Sequence, residues 1–232
     1  MKILAIESSA ITASVALVED DTVIAEYTIN YKKTHSQTLL PMIAEICSMT
    51  NTDVKDVDVI AVSAGPGSFT GLRIGAATGK GIALVTGQKM AQVPTLEAMA
   101  YNLYGDTRLI CPVMDARRQH LYSGIYEFKD GKLVTVHEQC LISYEELADM
   151  LNALGREVVF VGDGIDVACK YFDENLKCQY NYAPLGQRSQ RASLVAMVAK
   201  EMAQRGELID AAQLKPDYLR PSQAEREHNA AR

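Results

Sequence analysis

The chain has 232 residues, of which 48% are hydrophobic and 22% charged, a composition typical of an ordinary globular protein. Its 23 Lys and Arg against 29 Asp and Glu give a net charge of −6, which argues against nucleic-acid binding by this chain alone, because such binding depends on neutralising phosphates. Five scattered cysteines without a C-x-x-C pair argue against zinc and favour reduced thiols in a cytoplasmic protein, and no apolar stretch is long enough for a membrane helix.

The first half of the chain predicts the element order β-β-β-α-β-α. Its strands include short, continuous apolar runs, a pattern typical of strands that are buried on both faces. The first helix contains Pro41, which is tolerated only if it lies in the first turn, and Gly87 ends the second helix. The predicted strands span residues 3–6, 13–18, 22–29 and 57–62, and the predicted helices span residues 38–50 and 70–85.

The second half repeats that order of elements, although the residues themselves hardly repeat. Asp130 and Gly131 form a strong hairpin turn signal, and Ser143 with Glu146 predicts a capping box at a helix start. A short strand over residues 90–93 and a helix to residue 104 connect the halves. The predicted strands of this half span residues 109–114, 121–128, 132–142 and 158–161, and the predicted helices span 144–154, 165–172 and 191–205.

The duplicated unit predicts an α/β fold with two domains. It is similar to the arrangement of the actin, Hsp70 and sugar-kinase superfamily (ASKHA, ribonuclease H-like), in which ATP binds between the domains. The alternative is an unrelated α/β protein whose halves look alike by chance. The predicted division is an N-terminal domain over residues 1–104, a C-terminal domain over residues 105–214 and a polar tail over residues 215–232.

The predicted interdomain cleft lacks the usual phosphate-binding features. In that superfamily the first hairpin of each domain holds phosphates with backbone N–H groups, which requires glycine at the tip for close approach. Neither tip, residues 7–12 or 115–119, contains a glycine. The two carboxylates there either hold a cation through water or, as we favour, cap strand ends. The sequence therefore predicts no cofactor, no metal and a vestigial nucleotide cleft formed by Glu7, Ser8, Ser9 and Asp115.

A glycine-rich segment over residues 65–71 resembles a phosphate loop but fails the specific tests. It matches neither a Walker A loop nor the dinucleotide pattern, because Thr70 stands where the third glycine belongs. The segment opens a helix, so its N–H groups are able to receive an anion. A tight turn into a closely packed helix is the favoured interpretation.

The two N-terminal helices predict a docking surface. Gly71, Gly75, Gly79 and Ala83 recur at every fourth position, and glycine inside a helix costs about 1 kcal/mol relative to alanine. Another backbone must therefore come close, either from a partner or from the chain's own sheet or preceding helix. The preceding helix is apolar on more than one face, which favours a partner. Its predicted interface residues are Leu39, Leu40, Met42, Ile43 and Ile46.

No catalytic motif is recognisable in the sequence. There is no H-E-x-x-H and no nucleophile elbow G-x-S-x-G, and a lone histidine is usually structural. The sequence therefore predicts no catalytic residues.

Several segments resemble the TsaB (YeaZ) family, and the resemblance covers essentially the whole chain. The most specific is Gly-Pro-Gly-Ser-Phe-Thr-Gly-Leu-Arg over residues 65–73. The other matching segments are residues 3–9, 35–41, 93–98, 114–118 and 218–221.

The resemblance implies a non-catalytic subunit that binds and activates TsaD. With TsaE in a ternary complex, TsaD transfers a threonylcarbamoyl group to N6 of adenosine 37 in tRNAs reading codons that start with A. TsaD holds its metal with an H-x-x-x-H motif, whereas Tyr31 replaces the first histidine here and only His35 remains. The resemblance also implies docking through the N-terminal helices, and tRNA contact only through the complex. We further expect a weak homodimer when the chain is alone.

Two other function classes remain open. The first is an active enzyme, either a small-substrate kinase of the same superfamily or the peptidase once proposed for these proteins. The second is a self-associating homodimer without a catalytic partner.

Overall fold

Each half of the chain builds a five-stranded mixed sheet, and the two sheets have the same strand order. The computed structural model describes residues 1–220. The first sheet has the order β3-β2-β1-β4-β5, and the second has the equivalent order β8-β7-β6-β9-β10. The strands of the first sheet are β1 (Lys2–Glu7), β2 (Thr12–Glu19), β3 (Thr22–Asn30), β4 (Val59–Gly65) and β5 (Lys89–Pro94).

The second sheet repeats the pairing of the first. In both sheets the first three strands are antiparallel, the fourth pairs in parallel with the first, and the fifth pairs in parallel with the fourth. Its strands are β6 (Leu109–Asp115), β7 (His120–Lys129), β8 (Lys132–Ser143), β9 (Val158–Val161) and β10 (Tyr180–Tyr182). The predicted duplicated ASKHA-type α/β fold is confirmed.

Within residues 1–220, six α-helices pack on these sheets. Ser68 caps α2, where its side chain accepts from the Gly71 N–H, and Gly87 ends the helix with a φ of 85°. Ser143 and Glu146 form the predicted capping box of α4. The helices are α1 (His35–Met49), α2 (Phe69–Thr86), α3 (Thr95–Ala100), α4 (Tyr144–Leu154), α5 (Ile165–Asn175) and α6 (Ala192–Gln204).

Two local predictions differ from the structure. Helix α1 begins at His35, three residues earlier than expected, so that Pro41 lies in the second turn rather than the first. Strand β10 was not expected, because three residues with the sequence Tyr-Asn-Tyr are too few to show a periodic pattern. Parallel pairing with β9 makes this segment a strand.

The last helix crosses from one lobe to the other. Helices α1 and α2 cover one face of the first sheet. Helix α6 covers its opposite face, although the sequence places that helix in the C-terminal domain. Helix α3 correspondingly packs against the second sheet. Each of these two helices therefore packs on the sheet of the other lobe, so the predicted boundary at residue 104 does not separate the packing of the two lobes.

The segment predicted as a polar tail packs in part on the first lobe. The Asp217 N–H donates to the Ala64 carbonyl at 2.6 Å, and the Tyr218 ring lies 4.8 Å from the ring of Phe69. The Arg73 guanidinium stacks over Phe69 and donates to the Tyr218 hydroxyl. The rest of the predicted tail, residues 221–232, lies outside the described residues. Among residues 1–220, no helix combines the length and hydropathy needed to cross a bilayer.

Candidate functional site

A cleft with a volume of about 770 Å³ lies between the two lobes. Both hairpin tips, the start of α2 and residues 218–220 line it. The cleft thus lies between the two domains, as predicted from the similarity to the ASKHA superfamily. Of the four predicted cleft residues, Ser9 and Asp115 line this space, whereas Glu7 and Ser8 are not among its lining residues.

Glu7 organises the first hairpin from the interior. Its side chain is 1% exposed, and its Oε1 accepts from the Ser9 N–H at 2.6 Å and from the Ser63 hydroxyl at 3.1 Å. Burial raises the pKa of this carboxyl, which the hydrogen bonds from Ser9 and Ser63 oppose. The Ser8 hydroxyl donates to the Gly71 carbonyl at 3.0 Å. These side chains connect β1 to β4 and α2, and Ser63 is a member of this cluster that the sequence did not single out.

The second hairpin tip achieves its turn without glycine. Arg117, Arg118 and Gln119 have φ values of 65°, 56° and 57°, a left-handed conformation that costs about 1–2 kcal/mol per residue. The Asp115 carboxylate accepts from the Arg117 N–H at 2.7 Å and so caps the turn. This backbone places two arginine side chains in the lining of the cleft. No motif in the sequence signals this conformation.

Asp163 also lines the cleft, and no motif in the sequence marks it. Its Oδ1 accepts from the Gln190 amide at 3.3 Å. Desolvation by the surrounding protein raises the pKa of the Asp163 carboxyl to about 6, although the residue is still exposed to the water of the cleft. The negative charges of Asp115 and Asp166 add to this increase.

The raised pKa of Asp163 predicts how its contribution to stability depends on pH. The folded chain holds the proton more tightly than the unfolded chain, whose carboxyl titrates near the ordinary value of 3.8. Wild type therefore loses stability relative to Asp163→Asn as the pH rises from about 4 to about 6, and the difference stays constant above that range. Urea unfolding of both proteins at several pH values measures it. An unchanged difference from pH 4 to 8 would show that the carboxyl has an ordinary pKa.

His35 lines the cleft, but Tyr31 does not. The His35 ring is 8% exposed, and its Nε2 lies 2.8 Å from the Ala10 carbonyl oxygen, which connects α1 to the first hairpin. The Tyr31 side chain is 67% exposed. In residues 1–220 no group of three or more His, Cys, Asp and Glu side chains is arranged to hold a metal.

Two buried polar atoms near the first hairpin have no hydrogen-bond partner within residues 1–220. These are Ser9 Oγ and His35 Nδ1, and neither bonds to the other. Within the described part of the chain, the hydrogen bonds of the histidine rings go to backbone carbonyls and not to a hydroxyl or thiol. The described residues therefore contain no nucleophile paired with a histidine base.

The glycine stripe of α2 faces the chain's own sheet, which corrects the predicted interface. A Cβ at Gly71 would lie 2.1 Å from the Ser8 carbonyl oxygen, and one at Gly75 would lie 2.2 Å from Ser8 Oγ. A Cβ at Gly79 would lie 2.7 Å from a methyl carbon of Val62, and Ala83 is 2% exposed. Ser8 is therefore the close neighbour of Gly71 and Gly75, and side chains of the first sheet are the close neighbours of Gly79, so the stripe is buried within the chain.

Most of the predicted interface residues on α1 belong to the same core. Leu39, Met42, Ile43 and Ile46 are at most 6% exposed and pack between α1 and the first sheet. Leu40 is the exception, because 56% of its side chain surface is exposed. Most apolar residues of α1 thus pack in the core, and only the outward-facing residues of this helix are exposed to a partner.

A different apolar surface lies on the outward side of the same helices. Leu84 is 67% exposed and Val85 is 84% exposed on α2, and Met49 is 69% exposed on α1. Gly81 has no atom within 4 Å of a Cβ position, so another helix has room to approach there. We call this surface the outer face; it comprises Leu40, Pro41, Ala44, Met49, Ala77, Gly81, Leu84 and Val85.

Comparisons with known proteins agree with this architecture. The family model described as TsaD, tRNA N6-adenosine threonylcarbamoyltransferase, matches residues 22–228. The tRNA threonylcarbamoyladenosine biosynthesis protein TsaB of Bacillus subtilis is 34% identical over 225 residues, which is 97% of this chain and 96% of that protein. TsaB of Escherichia coli is also 34% identical, over 71% of this chain and 72% of its own.

Solved structures show the same likeness. YeaZ from Pseudomonas aeruginosa has a TM-score of 0.80 at 25% identity and covers 94% of this chain and 99% of its own. A second Pseudomonas aeruginosa structure, of a protein described as similar to the peptidase YeaZ, has a TM-score of 0.81 with the same identity and coverage.

Proposed function

The chain belongs to the TsaB (YeaZ) family, and from that premise we propose that it is a non-catalytic subunit of tRNA threonylcarbamoyladenosine biosynthesis. It binds a TsaD partner and activates the transfer of a threonylcarbamoyl group to N6 of adenosine 37 in tRNAs reading codons that start with A. TsaE joins the pair in a ternary complex.

The outer face is the observation that carries this proposal. Apolar residues that are 56–84% exposed lie on both α1 and α2, and exposed apolar surface of this kind is typical of an interaction surface. A TsaD partner shares the fold of this chain and has an equivalent pair of helices. The two proteins therefore dock through related surfaces about an approximate twofold axis, as in a symmetric dimer.

The cleft supports a role without chemistry of its own. Acyl transfer needs positioned electrophilic groups or a metal near the reacting carbonyl. The described residues offer no nucleophile–histidine pair and no cluster of metal ligands, and both hairpin tips lack glycine. The chain instead shifts TsaD toward its active arrangement, for which a coupling free energy of about 1–3 kcal/mol is typical.

The acidic charge of the chain supports tRNA contact through the complex rather than by this subunit alone. With a net charge of −6, the isolated chain attracts RNA poorly. In the absence of TsaD the outer face pairs weakly with a second copy, because it is apolar and able to complement itself.

A reconstituted tRNA modification assay tests the proposal. Omission of this chain from TsaD, TsaE and the threonylcarbamoyl-adenylate source lowers the rate at least about tenfold, the factor that corresponds to a coupling of about 1.4 kcal/mol. The variant Asp115→Ala, which changes a cleft carboxylate, keeps most of the rate because that residue performs no chemistry.

The controls separate this role from the alternatives. If Asp115→Ala abolishes modification while the complex still assembles, the cleft is an active site and the proposal is wrong. Turnover of ATP or cleavage of a peptide by the purified chain would instead support the kinase or the peptidase.

A further inference from the structure

The two lobes are joined by helices that lie away from the cleft. The chain passes from the first sheet to the second between β5 and β6, and it returns between β10 and α6. Helices α3 and α6 pack across the lobes, yet neither contributes a residue to the lining of the cleft. Residues 218–220, by contrast, line the cleft and follow both lobes in the sequence. The segment that contains them is therefore placed to join the lobes at the cleft itself.

Residues 214–220, which we call the strap, are held on the first lobe along their backbone. The Lys215 N–H donates to the side-chain oxygen of Gln92 at 3.1 Å. The Asp217 N–H donates to the Ala64 carbonyl. Both bonds use main-chain groups of the strap, so they persist when the side chains of the strap are changed.

Gly65 shows how closely the strap approaches the end of β4. Its φ of 125° lies in a region that favours glycine, and a Cβ at this position would overlap the Asp217 carbonyl oxygen. The Tyr218 ring packs on Phe69 in the first turn of α2. The strap is therefore packed closely against both β4 and α2 of the first lobe.

The same segment also contacts the second lobe, but through side chains. The Arg220 guanidinium donates to the Ala116 carbonyl at the tip of the second hairpin. The Gln139 amide of β8 donates to the Asp217 carboxylate at 3.1 Å. Each bond involves a charged group, which makes it stronger than a bond between neutral groups. The strap thus has main-chain and ring contacts on one lobe and side-chain hydrogen bonds on the other.

We propose that the strap closes the open side of the cleft: it stays fixed on the first lobe, holds the second lobe through Arg220 and Gln139, and so sets the width of the cleft. Breaking these two bonds does not require either sheet to unfold, because each sheet has an apolar core of its own. The lobes then turn about their connections near α3 and α6, a hinge motion that widens the cleft.

Hydrogen exchange of the full-length chain, followed by mass spectrometry, tests this role. In Arg220→Ala the amides of residues 115–120 should exchange at least about threefold faster, because the second hairpin loses a charge-assisted bond and opens more often. The Asp217 amide should keep its protection, since its own bond goes to the first lobe. Arg220→Lys should restore part of the protection, because an ammonium group is also able to donate to the Ala116 carbonyl.

A second measurement reports on the width of the cleft. Small-angle X-ray scattering of Gln139→Ala/Arg220→Ala should give a larger radius of gyration than wild type, because both bonds to the second lobe are lost. The matched control is Lys33→Ala, which removes an exposed cation from the cleft lining but none of the bonds of the strap. This control should behave as wild type in both experiments.

Three results would overturn the proposal. The first is unchanged exchange of residues 115–120 together with an unchanged radius of gyration in Gln139→Ala/Arg220→Ala. The second is an equal effect of Lys33→Ala, which would indicate a general effect of charge. The third is a loss of protection at Asp217 in Arg220→Ala, which would show that the strap is not fixed on the first lobe. Both experiments use the isolated chain, so their outcome is independent of TsaD binding.

Discussion

Replacing Gly71 by Ala is expected to destabilise the isolated chain by about 3 kcal/mol or more, the upper range for overpacking in a close-packed core. The added Cβ would lie 2.1 Å from the Ser8 carbonyl oxygen and 3.1 Å from the His35 ring. Because the nearest atom belongs to the backbone, no rotation of a side chain relieves the clash. Helix α2 has to move away from β1, which opens the core of the first lobe. Equilibrium unfolding in urea measures the loss.

Gly81→Ala is the matched control in the same helix. A Cβ at this position meets no atom within 4 Å, so the change removes only the helix penalty of glycine. We expect a gain of about 1 kcal/mol. Gly75→Leu should follow Gly71→Ala and unfold the chain, since its Cβ position lies 2.2 Å from Ser8 Oγ. If both variants fold with wild-type stability but no longer bind TsaD, the glycine stripe is a partner surface after all.

The double substitution Leu84→Glu/Val85→Glu is expected to abolish TsaD binding without unfolding the chain. Both side chains are mostly exposed, so their replacement changes stability by no more than about 0.5 kcal/mol. In the complex the two carboxylates would be buried without partners, and the desolvation penalty lowers the affinity about 100-fold or more. Calorimetric titration with TsaD measures the affinity, and circular dichroism monitors the fold.

Leu185→Glu provides the control for this experiment. Leu185 is 83% exposed and lies in the second half of the chain, outside the outer face. It should bind TsaD with wild-type affinity. An equal loss in Leu185→Glu, or no loss in Leu84→Glu/Val85→Glu, would place the interface elsewhere. Sedimentation of the double variant tests the homodimer, which should also disappear if it uses the same surface.

Local signals were sufficient to predict the elements that organise the fold. The capping box at Ser143 and Glu146 and the glycine after α2 are present where expected, because each depends on residues within one or two turns. Strand β10 and the left-handed turn over residues 117–119 have no such local signal. The first depends on pairing with β9, and the second is held by hydrogen bonds from the Arg117 N–H to the Asp115 carboxylate and from the Tyr144 N–H to the Gln119 carbonyl.

The sequence by itself determined the order of the elements, and with it the duplicated lobe, since apolar periodicity and turn residues act over short distances. It also showed that α2 must have a close neighbour, because three glycines on one stripe are costly in a helix. Only the tertiary structure decided that this neighbour is Ser8 together with side chains of the first sheet, and that the outer face is the exposed surface. A glycine at every fourth position of a helix allows close packing against either a partner helix or the chain's own sheet. Which of the two occurs depends on contacts between residues far apart in the sequence, and no local pattern predicts these contacts.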